Sequence, residues 1–126
     1  MRTIIAGGRN YILNDLGVAL LDRLRDEIPI TAVVCGCATG IDTSGAGWAW
    51  QRGIPIIFYR ADWDTYGKAA GMIRNAQMAA NADACITFAG GAGTRNMRAQ
   101  ARAKGLKAYN FTKQEWVRVR PSQQAA

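Results

Sequence analysis

Gly90-Gly91-Ala92-Gly93-Thr94 follows the apolar run Ala84-Cys85-Ile86-Thr87-Phe88 and precedes a helical segment, Arg95 to Lys104. A strand that turns through glycines into a helix aims several backbone N–H groups at one point, and phosphate is the usual occupant of such a point. Gly90, Gly91 and Gly93 allow close backbone approach. The Thr94 hydroxyl either caps the helix or donates to the phosphate. No lysine follows the glycines where a Walker A motif requires one. The expected ligand is a small phosphorylated molecule, a nucleotide first, with no cofactor required.

Three further bends carry unusual residues: Gly7-Gly8-Arg9, Gly36 to Asp42, and Ala61 to Gly67. Gly8 permits close approach, and Arg9 stands where a guanidinium clamps a phosphate or is simply solvated. Gly36 and Gly40 leave room for ribose or base. Asp42 falls in a first helical turn, beside the candidate cap Thr39, and either serves the helix start, accepts from ribose or orients a water. Arg74 and Asn75 lie on a helix short of ordinary charged residues, which points Arg74 to a ligand or an interface. Trp63 or Tyr66 stacks on a base or plugs a gap beneath its loop. Asp62 and Asp64 come nearest to an acid/base pair, so the catalytic candidates are Asp42, Asp62 and Asp64.

The chain has no histidine, which excludes Ser–His–Asp and Cys–His catalysis and leaves no zinc-like ligand set, so no metal is expected. Cys35, Cys37 and Cys85 form no disulfide framework, and all three are expected as small apolar fillers near a sheet.

The elements that must position these residues follow from the apolar pattern. Strands are expected at 3–6, 31–35, 55–59, 84–88 and, more weakly, 106–110. Helices are expected at 13–28, 41–52, 69–82 and about 94–104, with an aperiodic loop over 60–68. Leu16, Ala19, Leu20 and Leu24 mark the buried face of the first helix, and Pro29 stops it. Gly45 and Gly47 imply tight packing of the second helix against another backbone, such as the first turn. Trp48 and Trp50, two apart, cannot share a face. One covers the sheet and the other reaches outward, toward a dimer interface. Phe111 and Trp116 are expected to pack the last segment on the sheet edge.

Short branched strands alternating with helices describe βαβ units, hence an α/β, Rossmann-like three-layer sandwich with a parallel sheet of about five strands. Residues 1–119 form one domain and 120–126 a flexible tail. All four bends then meet at the C-terminal rim of the sheet, where such folds bind ligands.

The 126 residues carry a net charge of +7, with 49% hydrophobic and 20% charged residues, which is globular composition. The basic excess sits largely in the last third, in Arg95, Arg98, Arg102, Lys104, Lys107, Lys113, Arg118 and Arg120. Such charge attracts anions without distinguishing nucleotide from nucleic acid. No stretch spans a bilayer and no signal pattern opens the chain, so no membrane partner and a cytoplasmic location are expected.

These residues together resemble the small single-domain members of the SLOG superfamily, a Rossmann-like group that includes the YspA/YpsA-related proteins. The likeness runs through Gly7-Gly8-Arg9, Val34 to Asp42, Trp48-Ala49, Gly53-Ile54-Pro55, Ala61 to Gly71, Ile73-Arg74-Asn75, Met78, Ala82-Asp83 and Gly90 to Thr94, roughly residues 2 to 110. It implies a nucleotide-related ligand at the strand C-terminal rim, near Gly36, Gly40, Asp42, Arg74, Asn75, Gly90, Gly91, Gly93 and Thr94, and homodimers or larger assemblies. Related groups include cytokinin-activating phosphoribohydrolases, molybdenum-cofactor carriers and DNA-processing proteins. The phosphoribohydrolase pattern continues its glycine-threonine motif with a catalytic glutamate, whereas Arg95-Asn96-Met97 follows Thr94 here. The Cys35-Gly36-Cys37 bend also replaces the usual serine-glycine-glycine form.

The expected function is binding of a phosphorylated nucleotide or nucleotide-derived molecule as a sensing or carrier domain. Two alternatives stand beside it: hydrolysis of a nucleotide N-glycosidic or phosphoester bond, and single-stranded nucleic-acid binding.

Overall fold

The structure, a computed structural model, describes residues 1–38 and 40–111. Thr39, Trp116 and the expected tail lie outside the described residues. Five strands form the sheet: β1 (Arg2–Ala6), β2 (Ala32–Cys35), β3 (Ile56–Phe58), β4 (Ala84–Thr87) and β5 (Lys107–Asn110). They are all parallel, in the order β3-β2-β1-β4-β5. Chain order runs outward from β1 in one direction and then restarts at β4 in the other. The strand order therefore reverses between β1 and β4, the place where open parallel sheets leave a crevice beyond their strand ends.

The helices are α1 (Asp15–Glu27), α2 (Ile41–Gln51), α3 (Trp63–Tyr66), α4 (Ala70–Ala80) and α5 (Ala92–Ala103). Successive residues of a central strand face opposite sides, so a strand covered on both faces is apolar throughout. Ile5, Val33 and Ile86 pack with Leu20, Leu21 and Leu24 of α1 and Trp48 of α2. Ile4, Val34 and Cys85 pack with Met78 of α4 and with Met97 and Ala101 of α5. The three layers follow directly from these two clusters.

Local chemistry sets the helix limits. The Asn14 side chain accepts from the Gly17 amide and caps α1. Gly53, at φ +69°, ends α2. The α1 face differs by one residue from expectation: Ala19 is exposed and Leu21 is buried instead. Trp48 is buried while Trp50 is 78% exposed, dividing as their spacing requires. Away from the rim, Asp22 accepts from Trp48 Nε1 and from the Arg52 guanidinium, which also stacks over the Trp48 ring.

Three other expectations are corrected. The segment 60–68 is not an irregular loop, because Asp62 caps the one-turn helix α3, followed by a 3-10 turn at Gly67–Ala69. Gly45 meets a side chain rather than the first turn: a Cβ there would lie 2.7 Å from Ile5 Cγ2, and Gly47 faces open space. Cys35 and Cys85 are buried fillers, but Cys37 is exposed and sits at φ +61°. Phe111 does pack on the core, its ring centroid 5.6 Å from that of Phe88.

Candidate functional site

The bends after β1, β2 and β4 interlock at the switch point. Gly8 N–H donates to Ala89 O at 2.8 Å, and Ile41 N–H donates to Gly8 O at 3.3 Å. Gly40, at φ +81°, lies against the carbonyls of Gly8 and Arg9 with no room for a Cβ. A Cβ on Gly90 would strike the Thr94 hydroxyl and come within 2.8 Å of the Gly8 nitrogen. Gly40 and Gly90 are thus glycines because backbone crosses backbone there. Neither lines either of the two rim cavities, although both were expected at the ligand.

A cavity of about 360 Å³ opens over this junction. Gly8, Arg9, Asp42, Arg74, Asn75, Gly91, Gly93 and Thr94, all singled out in the sequence, line it. Ala92 joins them, and Met78 and Met97 contribute apolar wall. The α5 helix begins two residues earlier than its periodicity suggests. Gly91 precedes it without a side-chain cap, and Arg95 N–H makes the first intrahelical bond, to Gly91 O at 3.0 Å. The amides of Ala92, Gly93 and Thr94 therefore form an uncapped first turn, the positive end of a helix facing a cavity. Thr94 is inside the helix and is not its cap.

The β2–α2 bend behaves differently. The backbone amides of Ala38 and Gly7 stand by the Asp42 carboxyl and favour its charged form. Cys37 N–H donates to Cys35 Sγ at 3.3 Å, and Cys35 Sγ–H donates to Asp42 O at 3.5 Å. Thr43 Oγ1–H donates to Ala38 O at 2.8 Å. Among the described residues of this bend, the Cys37 and Ile41 amides thus meet acceptors of the protein's own. Asp42 is 5% exposed, and burial pushes its carboxyl up to about 6 despite the opposing Arg74 charge and the two amides. Burial likewise raises Cys35 to about 11 and Cys85 to about 12, which keeps both as thiols.

Arg74 crosses from α4 into the rim. Its Nη1–H donates to Gly36 O at 2.7 Å and its Nε–H to Asn75 Oδ1 at 3.3 Å. Asn75, buried, in turn donates from Nδ2 to Gly93 O at 3.3 Å and to Asn96 Oδ1 at 3.0 Å. This chain couples the guanidinium to the first turn of α5 through a neutral amide. Asn96 was missed because an asparagine on an amphipathic helix carries no signal of its own.

A second cavity of about 350 Å³ adjoins the first and shares Arg9, Ala38 and Arg74 with it. Gly36, Cys37, Arg60, Ala61 and Trp63 complete its wall. Arg60 was also missed: it is a polar residue just after a short strand, distinguished only by where the chain folds it. Asp62 and Asp64 line neither cavity. The Thr65 hydroxyl and amide donate to Asp62 and hold its carboxyl below the usual range, so it caps a helix in solvent. Of the three carboxylates singled out, Asp42 alone reaches a cavity.

Three likenesses bear on this arrangement. Residues 1–66 match the YspA, cpYpsA-related SLOG family (YAcAr). Gene 61 protein of Mycobacterium phage D29 is 39% identical over 101 residues, covering 74% of this chain and 81% of that protein. The fold is similar to the DNA processing protein A (DprA) from Streptococcus pneumoniae, with a TM-score of 0.64 over 86% of this chain. At 19% identity that likeness concerns architecture, and this chain spans about half (49%) of DprA's length. The match over residues 1–66, just over half of the chain and including the bends after β1 and β2, places it in the YspA, cpYpsA-related SLOG family.

Proposed function

We propose that this protein binds a phosphorylated nucleotide or nucleotide-derived small molecule in the cavity at the β1/β4 switch point, as a sensing or carrier domain. The observation that carries the reading is the uncapped first turn of α5 facing the same space as Arg9 and Arg74. Backbone amides and two guanidiniums together suit a phosphate. SLOG membership points the same way. Met78 and Met97 supply an apolar wall for a nucleoside, and Asp42 is placed to accept from a ribose hydroxyl. Isothermal calorimetry against AMP, NAD, ADP-ribose and cyclic nucleotides tests the reading. Saturable binding to at least one, weakened roughly 10- to 100-fold by Arg74→Ala, is expected; no binding across the panel overturns it.

One observation favours a second reading, hydrolysis of a nucleotide N-glycosidic bond. Asp42 lines the cavity with a carboxyl raised to about 6, the range suited to acid–base work. Asp42→Asn then abolishes turnover while binding persists; equal turnover in the variant removes Asp42 from any mechanism. Nucleic-acid binding has less support, because Arg98 of the basic α5 helix turns inward and donates to Thr87 Oγ1 and Phe88 O.

A further inference from the structure

The two rim cavities adjoin, and the residues between them are chemically specific. Their shared wall holds two guanidiniums, Arg9 and Arg74, and a single methyl group, Ala38. Ala38 puts only a methyl there, and the guanidiniums make the shared wall, the passage between the cavities, positive. Arg74 uses two of its donors on neutral oxygens, Gly36 O and Asn75 Oδ1, leaving others of its five N–H groups for an anion. Among the described residues, neither Arg9, Arg60 nor Arg74 has an ion pair.

Beyond the passage stands Trp63, 50% exposed on the cavity wall. A Cβ built on Gly71 would lie 3.5 Å from Trp63 Cη2 and 3.9 Å from Arg74 Nη2, so the indole edge and the guanidinium flank one small spot on α4. A large exposed aromatic face beside cations is a surface on which a ring stacks. A nucleoside monophosphate fills one cavity of this size and leaves the other empty.

We propose that the ligand is a nucleoside diphosphate whose distal phosphate is esterified to a second ring. This rests on the nucleotide reading above. One phosphate lies on the amides of Ala92 to Thr94, the next between Arg9 and Arg74, and the distal ring over Trp63 with Arg60 beside it. The nucleoside occupies the cavity that contains Asp42.

The test compares AMP with ADP-ribose by calorimetry on wild type, Trp63→Ala and Arg60→Ala. Both side chains are exposed, so the variants fold, and a thermal melt checks it. ADP-ribose is expected to bind wild type at least thirtyfold tighter than AMP. Each variant is expected to lose about tenfold in ADP-ribose affinity while AMP affinity stays within twofold. Equal affinity for the two ligands, or equal losses for both in Trp63→Ala, overturns the two-cavity ligand and leaves the nucleotide reading standing. If neither ligand binds wild type, both fall.

Discussion

Two bends of this protein look alike in sequence and behave oppositely in the fold. The bend before α2 and the bend before α5 each follow a buried strand, contain glycines and lead into a helix without a side-chain cap. Before α2, the amides of Gly7 and Ala38 stand by the carboxylate of Asp42 and favour its charge, and Gly8 O takes up the amide of Ile41. Before α5, no acid stands in the first turn, and its amides face the cavity. One bend therefore carries a negative group with its donors satisfied; the other carries donors without a negative group. Glycine permits both outcomes. What decides is whether neighbouring bends bring acceptors.

The largest expected effect tests the negative bend. Burial raises the Asp42 carboxyl from the ordinary 3.8 to about 6 in the folded protein. The folded state then holds a proton through pH 4–6 that the unfolded chain has lost, so stability falls as pH rises through this window. Two pKa units correspond to about 3 kcal/mol. Urea unfolding of wild type should show this loss between pH 4 and 7, above the acid range below about 4 in which Asp22, held low by Arg52, works in the opposite direction. Asp42→Asn should flatten the difference; parallel curves for the two proteins would remove Asp42 as its source. Ionised Asp42 also repels a neighbouring phosphate, so ADP-ribose affinity should rise as pH falls from 7.5 to 5.5 in wild type alone.

Arg74→Ala sharpens the comparison from the side of the positive bend. A charge-assisted hydrogen bond contributes about 1.5–3 kcal/mol, so nucleotide affinity should drop by roughly 10- to 100-fold. Arg74→Lys should recover little, since it loses the planar fork that holds Gly36 O while reaching the ligand. Calorimetry giving full affinity for the lysine variant would reduce Arg74 to a point charge.

Within the α5 bend, Gly90 and Gly91 should separate cleanly. Gly90→Ala forces a methyl into Thr94 and Gly8, an overpacking that costs about 1–3 kcal/mol. Gly91→Ala meets open space, so its thermal midpoint should stay near wild type. Equal melting of the two variants would mean that the crossing of bends is not what requires glycine.

The smallest effect concerns Cys37, a non-glycine residue at φ +61°. Cys37→Gly relieves a left-handed strain of about 1–2 kcal/mol, partly offset by the greater freedom of the unfolded chain, about 0.5–1 kcal/mol. A gain of up to about 1 kcal/mol in urea is expected. A clear loss would show that the sulfur holds the bend through its contact with Cys35 O. Iodoacetamide should label Cys37 in the native protein and spare the buried Cys35 and Cys85.

Much of the architecture was legible because it depends on short-range patterns. The runs at Ile4 to Ala6 and Val33 to Cys35 lack strict alternation, which implies covered parallel strands, and both are buried; Ile56 to Tyr59 reads the same way, but β3 is an edge strand with Phe58 59% exposed. The α3 turn was not legible, because Asp62 caps one turn of helix with too few residues to show a period. The start of α5 was misplaced since Ala92 and Gly93 have no apolar marker, and helix ends carry the weakest signal. Most of the cavity-lining residues could be named from their bends. Asp62 and Asp64 matched Asp42 in type but not in place, and Arg60 gave no sign of reaching the rim.

The amino-acid order by itself determined the alternation of strands and helices, the glycine bends after strand ends and the positive charge of the chain, since these depend on neighbours within a few residues. Only the tertiary structure decided which glycines make room for crossing backbone and which leave amides open to a ligand. It also decided that Asp42 and not Asp62 shares a wall with Arg74, because hydrogen-bond partners and burial are set by segments tens of residues apart, and no local pattern encodes who those partners are.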